Sequence, residues 1–128
     1  MANVVLDRIG QISVRVRDVE RAVAFYRDAL GLKYLFQAPG MAFFQAGEVW
    51  LYLTSAAEPG FDHPASLLYF DVEDIGAAFD ALRARGVTFR DRPHRVHRME
   101  NRELWLSFFE DGEDNVFAIR TWKAVALA

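Results

Sequence analysis

The chain carries an internal repeat. Two aspartates that precede helix-patterned stretches, Asp18 and Asp74, lie 56 residues apart. Two glycines that follow those stretches, Gly31 and Gly86, lie 55 apart. After Asp18, the residues Val19, Ala22, Val23, Tyr26 and Leu30 recur at the spacing of one helix face. After Asp74, Ile75, Ala78, Phe79 and Leu82 do the same. An aspartate caps a helix because its carboxylate accepts from the free N–H groups of the first turn. A glycine suits the left-handed position just past the helix end. A repeat of this period constrains the fold more than any local pattern, because both copies must bury the same faces.

Each copy reads as strand–helix–strand–strand–strand. Apolar alternation over 9–16 gives the first strand, and extended segments follow near 33–38, 41–46 and 49–54. Pro39-Gly40 and Gly47 separate them as turns. The stretch 55–64 (SAAEPGFDHP) is small, polar and rich in turn formers, and reads as a linker. The second copy has a nearly continuous apolar strand over 67–72, then extended segments near 87–92, 103–109 and 115–121. The expected organisation is one domain over 1–128, with module one at about 8–54 and module two at about 65–121. The expected class is α+β. Each sheet packs one face on its own helix and turns the other inward, leaving a concave surface of the kind that holds small molecules.

Composition removes several functions. The chain has no cysteine, which excludes disulfides, thiolate metal sites and cysteine nucleophiles. That usage fits a cytoplasmic protein. Fifteen basic residues against 18 acidic ones, a net charge of −3, give no electrostatic footprint for nucleic acid. No apolar run is long enough to span a membrane and the N-terminus lacks a signal-peptide pattern, so no membrane partner is expected.

The first strand, IGQISVRV over 9–16, puts Ile12, Val14 and Val16 on one face and Gln11, Ser13 and Arg15 on the other. So polar a face in a chain that is 52% hydrophobic leaves three roles open for Gln11: metal ligand, substrate contact or neither.

The motif Asp18-x-x-x-Ala22-x-x-Phe25-Tyr26, closing on Leu30-Gly31-Leu32, resembles in combination with the repeat the N-terminal signature of the vicinal oxygen chelate superfamily. That superfamily includes glyoxalase I, extradiol dioxygenases, fosfomycin resistance enzymes and bleomycin resistance proteins. The segment Phe108–Asn115 is similar to the family's Phe-x-x-Asp-Pro-Asp-Gly-Asn turn, with Gly112 in place of the proline and Asp114 in place of the glycine. The resemblance implies two tandem βαβββ modules forming a half-open eight-stranded mixed barrel around a central cleft, in a homodimer.

The resemblance also implies four inward ligand positions in the metal-using members. Here they fall on Gln11, Tyr52, Leu67 and Ala118. Catalytic metal sites take about three ligands from imidazole, carboxylate or thiolate. Leu67 and Ala118 offer no lone pair, and Tyr52 is a phenol that ionises near pH 10. A single neutral amide cannot hold a divalent ion, so no metal and no cofactor are expected. A relocated metal would draw on His63, His94 or His97. The run 93–103 places His94 and His97 near Glu100 and Glu103, but arginines interleave with every candidate and repel a cation. The plain alternative is a solvated hairpin or loop face.

Strand alternation from those four positions builds the expected cleft. It adds Ser13 and Arg15, Trp50 and Thr54, Tyr69 and Asp71, and Val116 and Arg120. Family parity adds Leu106 and Phe108. The expected ligand-binding set is Gln11, Ser13, Trp50, Tyr52, Thr54, Leu67, Tyr69, Phe108, Val116 and Ala118, with Arg15, Asp71 and Arg120 as a structural ion-pair network at the rim. An apolar wall with a few placed polar points suits a small, partly aromatic molecule, held or carried without chemistry. The alternatives are an enzyme (lyase, isomerase or dioxygenase) using a relocated metal or His97 or Tyr52 as acid and base, and a dimeric scaffold whose aromatics fill the cleft.

Overall fold

The structure, a computed structural model, describes residues 4–56 and 58–125. The first copy holds strand β1 (Gln11–Arg15), helix α1 (Val19–Ala24) and strands β2 (Lys33–Ala38), β3 (Met41–Ala46) and β4 (Val49–Thr54). The helical run continues beyond α1 as a π-helical turn, Phe25–Ala29. The second copy holds β5 (Tyr69–Asp71), α2 (Ile75–Ala84), β6 (Thr88–Phe89), β7 (His94–Arg98), β8 (Arg102–Glu110) and β9 (Val116–Ala124).

The repeat is carried into geometry. Asp18 accepts from the backbone N–H of Arg21 at 3.1 Å, and Asp74 from that of Ala77 at 3.0 Å. Gly31 and Gly86 both take positive φ, at 74° and 94°, the backbone that ends each helical run. In the first sheet β1 pairs with β4 in parallel, and the order is β1-β4-β3-β2. In the second, β5 pairs with β9 in parallel, the order is β5-β9-β8-β6, and β7 also pairs with β8. The result is an α+β fold of two mixed sheets and two helices.

Three expectations need correction. Among the described residues the strands number nine rather than eight, in sheets of four and five. The added strand is β7, expected as a solvated hairpin or loop. Its sequence HRVHR has no apolar alternation and every residue is exposed, so only its ladder to β8 identifies it. The strand expected over 67–72 shortens to Tyr69–Asp71, which leaves Leu67 outside it. Backbone bonds from Ala118 N to Leu68 O and from Val72 N to Arg120 O prolong the pairing by one residue at each end. The segment expected over 87–92 shortens to a ladder at Thr88 and Phe89, prolonged by the backbone bond from Arg90 N to Phe108 O.

One core joins both copies. The helix-facing residues Val14, Phe44, Leu51 and Leu53 of the first sheet and Phe109, Phe117 and Ile119 of the second are fully or almost fully buried, and belong to one cluster with α1 and α2. Tyr26 bridges the copies, with ring centroids 5.9 Å from Phe44 and 6.4 Å from Phe117. The faces opposite the helices stay open.

Candidate functional site

On the open face of the first sheet, β1 sets Gln11, Ser13 and Arg15 beside Trp50, Tyr52 and Thr54 of β4. The adjoining strand β3 brings Phe43 opposite Tyr52, and β2 brings Phe36 opposite Phe43. These rings form a ladder across three strands. Phe36 stacks on Phe43 with centroids 4.7 Å apart, and Phe43 stacks on Tyr52 at 4.8 Å. Trp50 meets Phe43 edge to face at 5.7 Å. Phe36 and Phe43 lie outside the expected ligand-binding set, because alternation from the four ligand positions does not reach β2 and β3. The Phe43–Phe44 pair hid the signal, since one ring turns to the core and the other to the open face.

On the open face of the second sheet, Tyr69 and Phe108 pair with Ala118 from either side. Their rings meet edge to face at 6.2 Å beside the small, fully buried Ala118. Val116 lies opposite Glu110, one step along the same face. Each group of expected residues is thus assembled on its own sheet, except that Leu67 precedes its strand. The wall is not sealed within one chain. Trp50 is 38% exposed, Tyr69 46%, Phe36 47% and Leu67 50%.

The rim charges form two separate pairs, not one network. Arg120 Nε donates to Asp71 at 2.6 Å, and that bond holds the guanidinium even more firmly protonated than usual. Arg15 pairs instead with Asp62 of the linker, at 3.1 Å. Arg15 is buried, and its Nε–H has no partner among the described residues.

The four positions at which metal-using relatives place ligands do not fit a divalent ion here. Gln11 is exposed, Tyr52 is stacked on Phe43, and Leu67 and Ala118 have no donor atom. Among the described residues no three His, Asp or Glu side chains stand together as a ligand set. His94 Nδ1 lies 2.9 Å from the Arg92 carbonyl oxygen, and His63 Nδ1 lies 3.0 Å from that of Pro64. His97 stands exposed on β7, outside the ladder of rings. Arg95 and Arg98 both pair with Glu103, so that carboxylate is already engaged by two cations. No helix among the described residues is long and apolar enough to cross a membrane.

Residues 8–118 match the family model described as Glyoxalase/Bleomycin resistance protein/Dioxygenase superfamily. The chain is 31% identical to the protein YraH of Bacillus subtilis (strain 168), over 88% of this chain and 96% of that one. Among solved structures it resembles a Glyoxalase/bleomycin resistance protein/dioxygenase superfamily member from Sphaerobacter thermophilus DSM 20745. There the TM-score is 0.74 at 22% identity, covering 91% of this chain and 98% of that one. A lactoylglutathione lyase from Agrobacterium tumefaciens gives a TM-score of 0.70 at 20% identity, over 90% and 93%. At such identities the structures speak for the fold alone.

Proposed function

The chain belongs to the Glyoxalase/Bleomycin resistance protein/Dioxygenase superfamily, and within it we propose a metal-independent protein that binds a small, partly aromatic molecule. The observation that carries this reading is the ladder Phe36–Phe43–Tyr52 with Trp50 at its edge, open to solvent. Aromatic residues of such size on an uncovered face are ready partners for a planar ring, each ring pair contributing roughly 0.5–1.5 kcal/mol beyond area burial. Gln11, Ser13 and Thr54 supply polar points beside the ladder. Leu67, Tyr69, Phe108, Val116 and Ala118 supply the second wall. Loss of the ligand set at Gln11, Tyr52, Leu67 and Ala118 argues for sequestration or carriage over metal chemistry.

The half-exposed rings favour one addition to this reading: a second copy of the chain that covers the open faces and completes the cleft. Single chains seldom leave large apolar faces to water without a partner. The cysteine-free composition fits a cytoplasmic setting.

Tryptophan fluorescence is the test. A panel of planar phenolic and antibiotic compounds should quench emission saturably, and Trp50→Phe should remove most of that signal. No saturable response from any compound overturns the binding reading. Metal analysis of protein purified without chelator tests the other half, and stoichiometric zinc, iron, manganese or nickel that survives dialysis overturns metal independence. Sedimentation at micromolar concentration should show a dimer, and a strict monomer overturns the closing partner.

A further inference from the structure

A second cavity lies on the other side of the second sheet, away from the open cleft. It holds about 270 Å³ and sits at the seam between the two copies. Leu30 and Leu32 come from the end of the first helical run, Ala78 and Leu82 from α2, and Phe109 and Ile119 from the helix-facing side of the second sheet. Every lining residue is apolar except one, Arg85.

Arg85 caps the C-terminus of α2. Its Nη1 donates to the Ala29 carbonyl at 3.3 Å, across the seam. No acidic side chain pairs with it among the described residues. A guanidinium carries five N–H donors in a planar fork, and one bond leaves most of them free. Such a fork matches a carboxylate in two parallel bonds. The cavity is half open to solvent and Arg85 is exposed beside it, so an apolar body can enter while a charged end stays in reach of the guanidinium. An apolar cavity of roughly 150 Å³ takes benzene, and ordinary ligand pockets begin near roughly 300 Å³.

We propose that this cavity is a second small-molecule site, for a monocarboxylate whose apolar body is a single substituted ring or a short alkyl chain. The body fills the apolar seam and the carboxylate meets Arg85. The site is independent of the open cleft, because Phe109 and Ile119 point to the face opposite Phe108 and Ala118.

Phenylacetate and its neutral counterpart phenylacetamide are suitable probes, followed by NMR of methyl-labelled protein at neutral pH. Phenylacetate should move the methyl signals of Leu30, Leu82 and Ile119 saturably and leave the Trp50 indole signal in place. Phenylacetamide should bind at least tenfold more weakly. Arg85→Gln should abolish that preference while the spectrum keeps its folded dispersion. Ala81→Trp, which fills the cavity, should abolish binding of both probes. Equal affinity for both probes in the natural protein, or no methyl shift at millimolar concentration, overturns the site. Shifts confined to the Trp50 indole overturn it too, while leaving the open cleft as a ligand site.

Discussion

The hydroxyl of Tyr26 donates to Asp111 Oδ2 at 2.7 Å, joining the first helical run to the β8–β9 turn 85 residues later. Asp111 is buried and fully engaged. Its Oδ1 accepts from the backbone N–H groups of Glu113 and Asn115, and its Oδ2 also accepts from Asn115 Nδ2. The turn is therefore organised around one carboxylate, and Tyr26 ties that carboxylate to the shared core. Tyr26→Phe leaves one bond of a buried acceptor unmade. The expected loss is about 1–3 kcal/mol in denaturant unfolding, with no change of fold by circular dichroism.

The same contact sets an alkaline limit. Burial raises the Tyr26 ionisation well above its ordinary value, and the Asp111 carboxylate raises it further. A group whose folded value is raised contributes stability that is complete below its unfolded value and lost as pH climbs above it. The unfolded value is near 10. The unfolding midpoint should therefore hold up to about pH 9 and fall above about pH 10. Tyr26→Phe should flatten that fall, and ultraviolet titration should show one phenol ionising only as the protein unfolds. A Tyr26 that ionises while the protein stays folded would contradict the burial argument.

Glu113 makes the second tie between the copies. Its Oε1 accepts from the backbone N–H of Arg17 at 2.7 Å and of Asp18 at 2.8 Å, just ahead of α1, and its Oε2 accepts from Arg21 Nε at 2.5 Å. Arg21 is largely exposed, so water screens that pair and it contributes little. The two backbone bonds carry the effect. Glu113→Ala should cost about 2 kcal/mol, most of it from those donors, and Glu113→Gln less because an amide oxygen still accepts. Added salt should change the cost of Glu113→Ala only slightly. A strongly salt-dependent cost would assign the stabilisation to the Arg21 pair instead.

Much of this architecture was legible in advance, and the parts that were not have physical causes. The caps Asp18 and Asp74, the glycines Gly31 and Gly86 and the strands β2, β3 and β4 announce themselves, because local backbone chemistry and apolar spacing speak together there. β7 does not, since an edge strand exposed on both faces needs no apolar residue and is defined only by its pairing to β8. The ring ladder is half legible. Trp50 and Tyr52 follow from alternation on β4, whereas Phe36 is shifted by an irregularity in register between Tyr34 and Phe36 that no period-two count foresees. The pairing of Arg15 with Asp62 was equally out of reach, because it depends on how the linker folds back over β1.

Phe43 is the centre of the ladder, stacked on Phe36 and on Tyr52 at once. It is half-buried and lies on the face away from the shared core. Phe43→Leu keeps apolar volume but removes both stacks, so melting should shift by only a few degrees. Ligand affinity should fall by about tenfold, close to 1.4 kcal/mol, because the flat surface beside Trp50 is lost. Fluorescence titration of the compound that quenches Trp50 best gives the comparison. Unchanged affinity in Phe43→Leu would place the ligand away from the ladder.

The two caps provide an internal control that few chains offer. Asp18 and Asp74 hold equivalent bonds at 3.1 and 3.0 Å, each to the backbone N–H three residues on, with nearly equal backbone angles. Removing either side chain strands one donor of a first turn, at a cost of about 1 kcal/mol. The Asp18 backbone N–H is separately held by Glu113. That bond does not involve the Asp18 side chain and survives the substitution. Asp18→Ala and Asp74→Ala should therefore destabilise by similar amounts, and the double variant by their sum, since the two turns share no partner. Urea unfolding of the three variants measures this directly. A double variant much less stable than the sum would mean that the two copies are coupled through their helix starts as well as through the core.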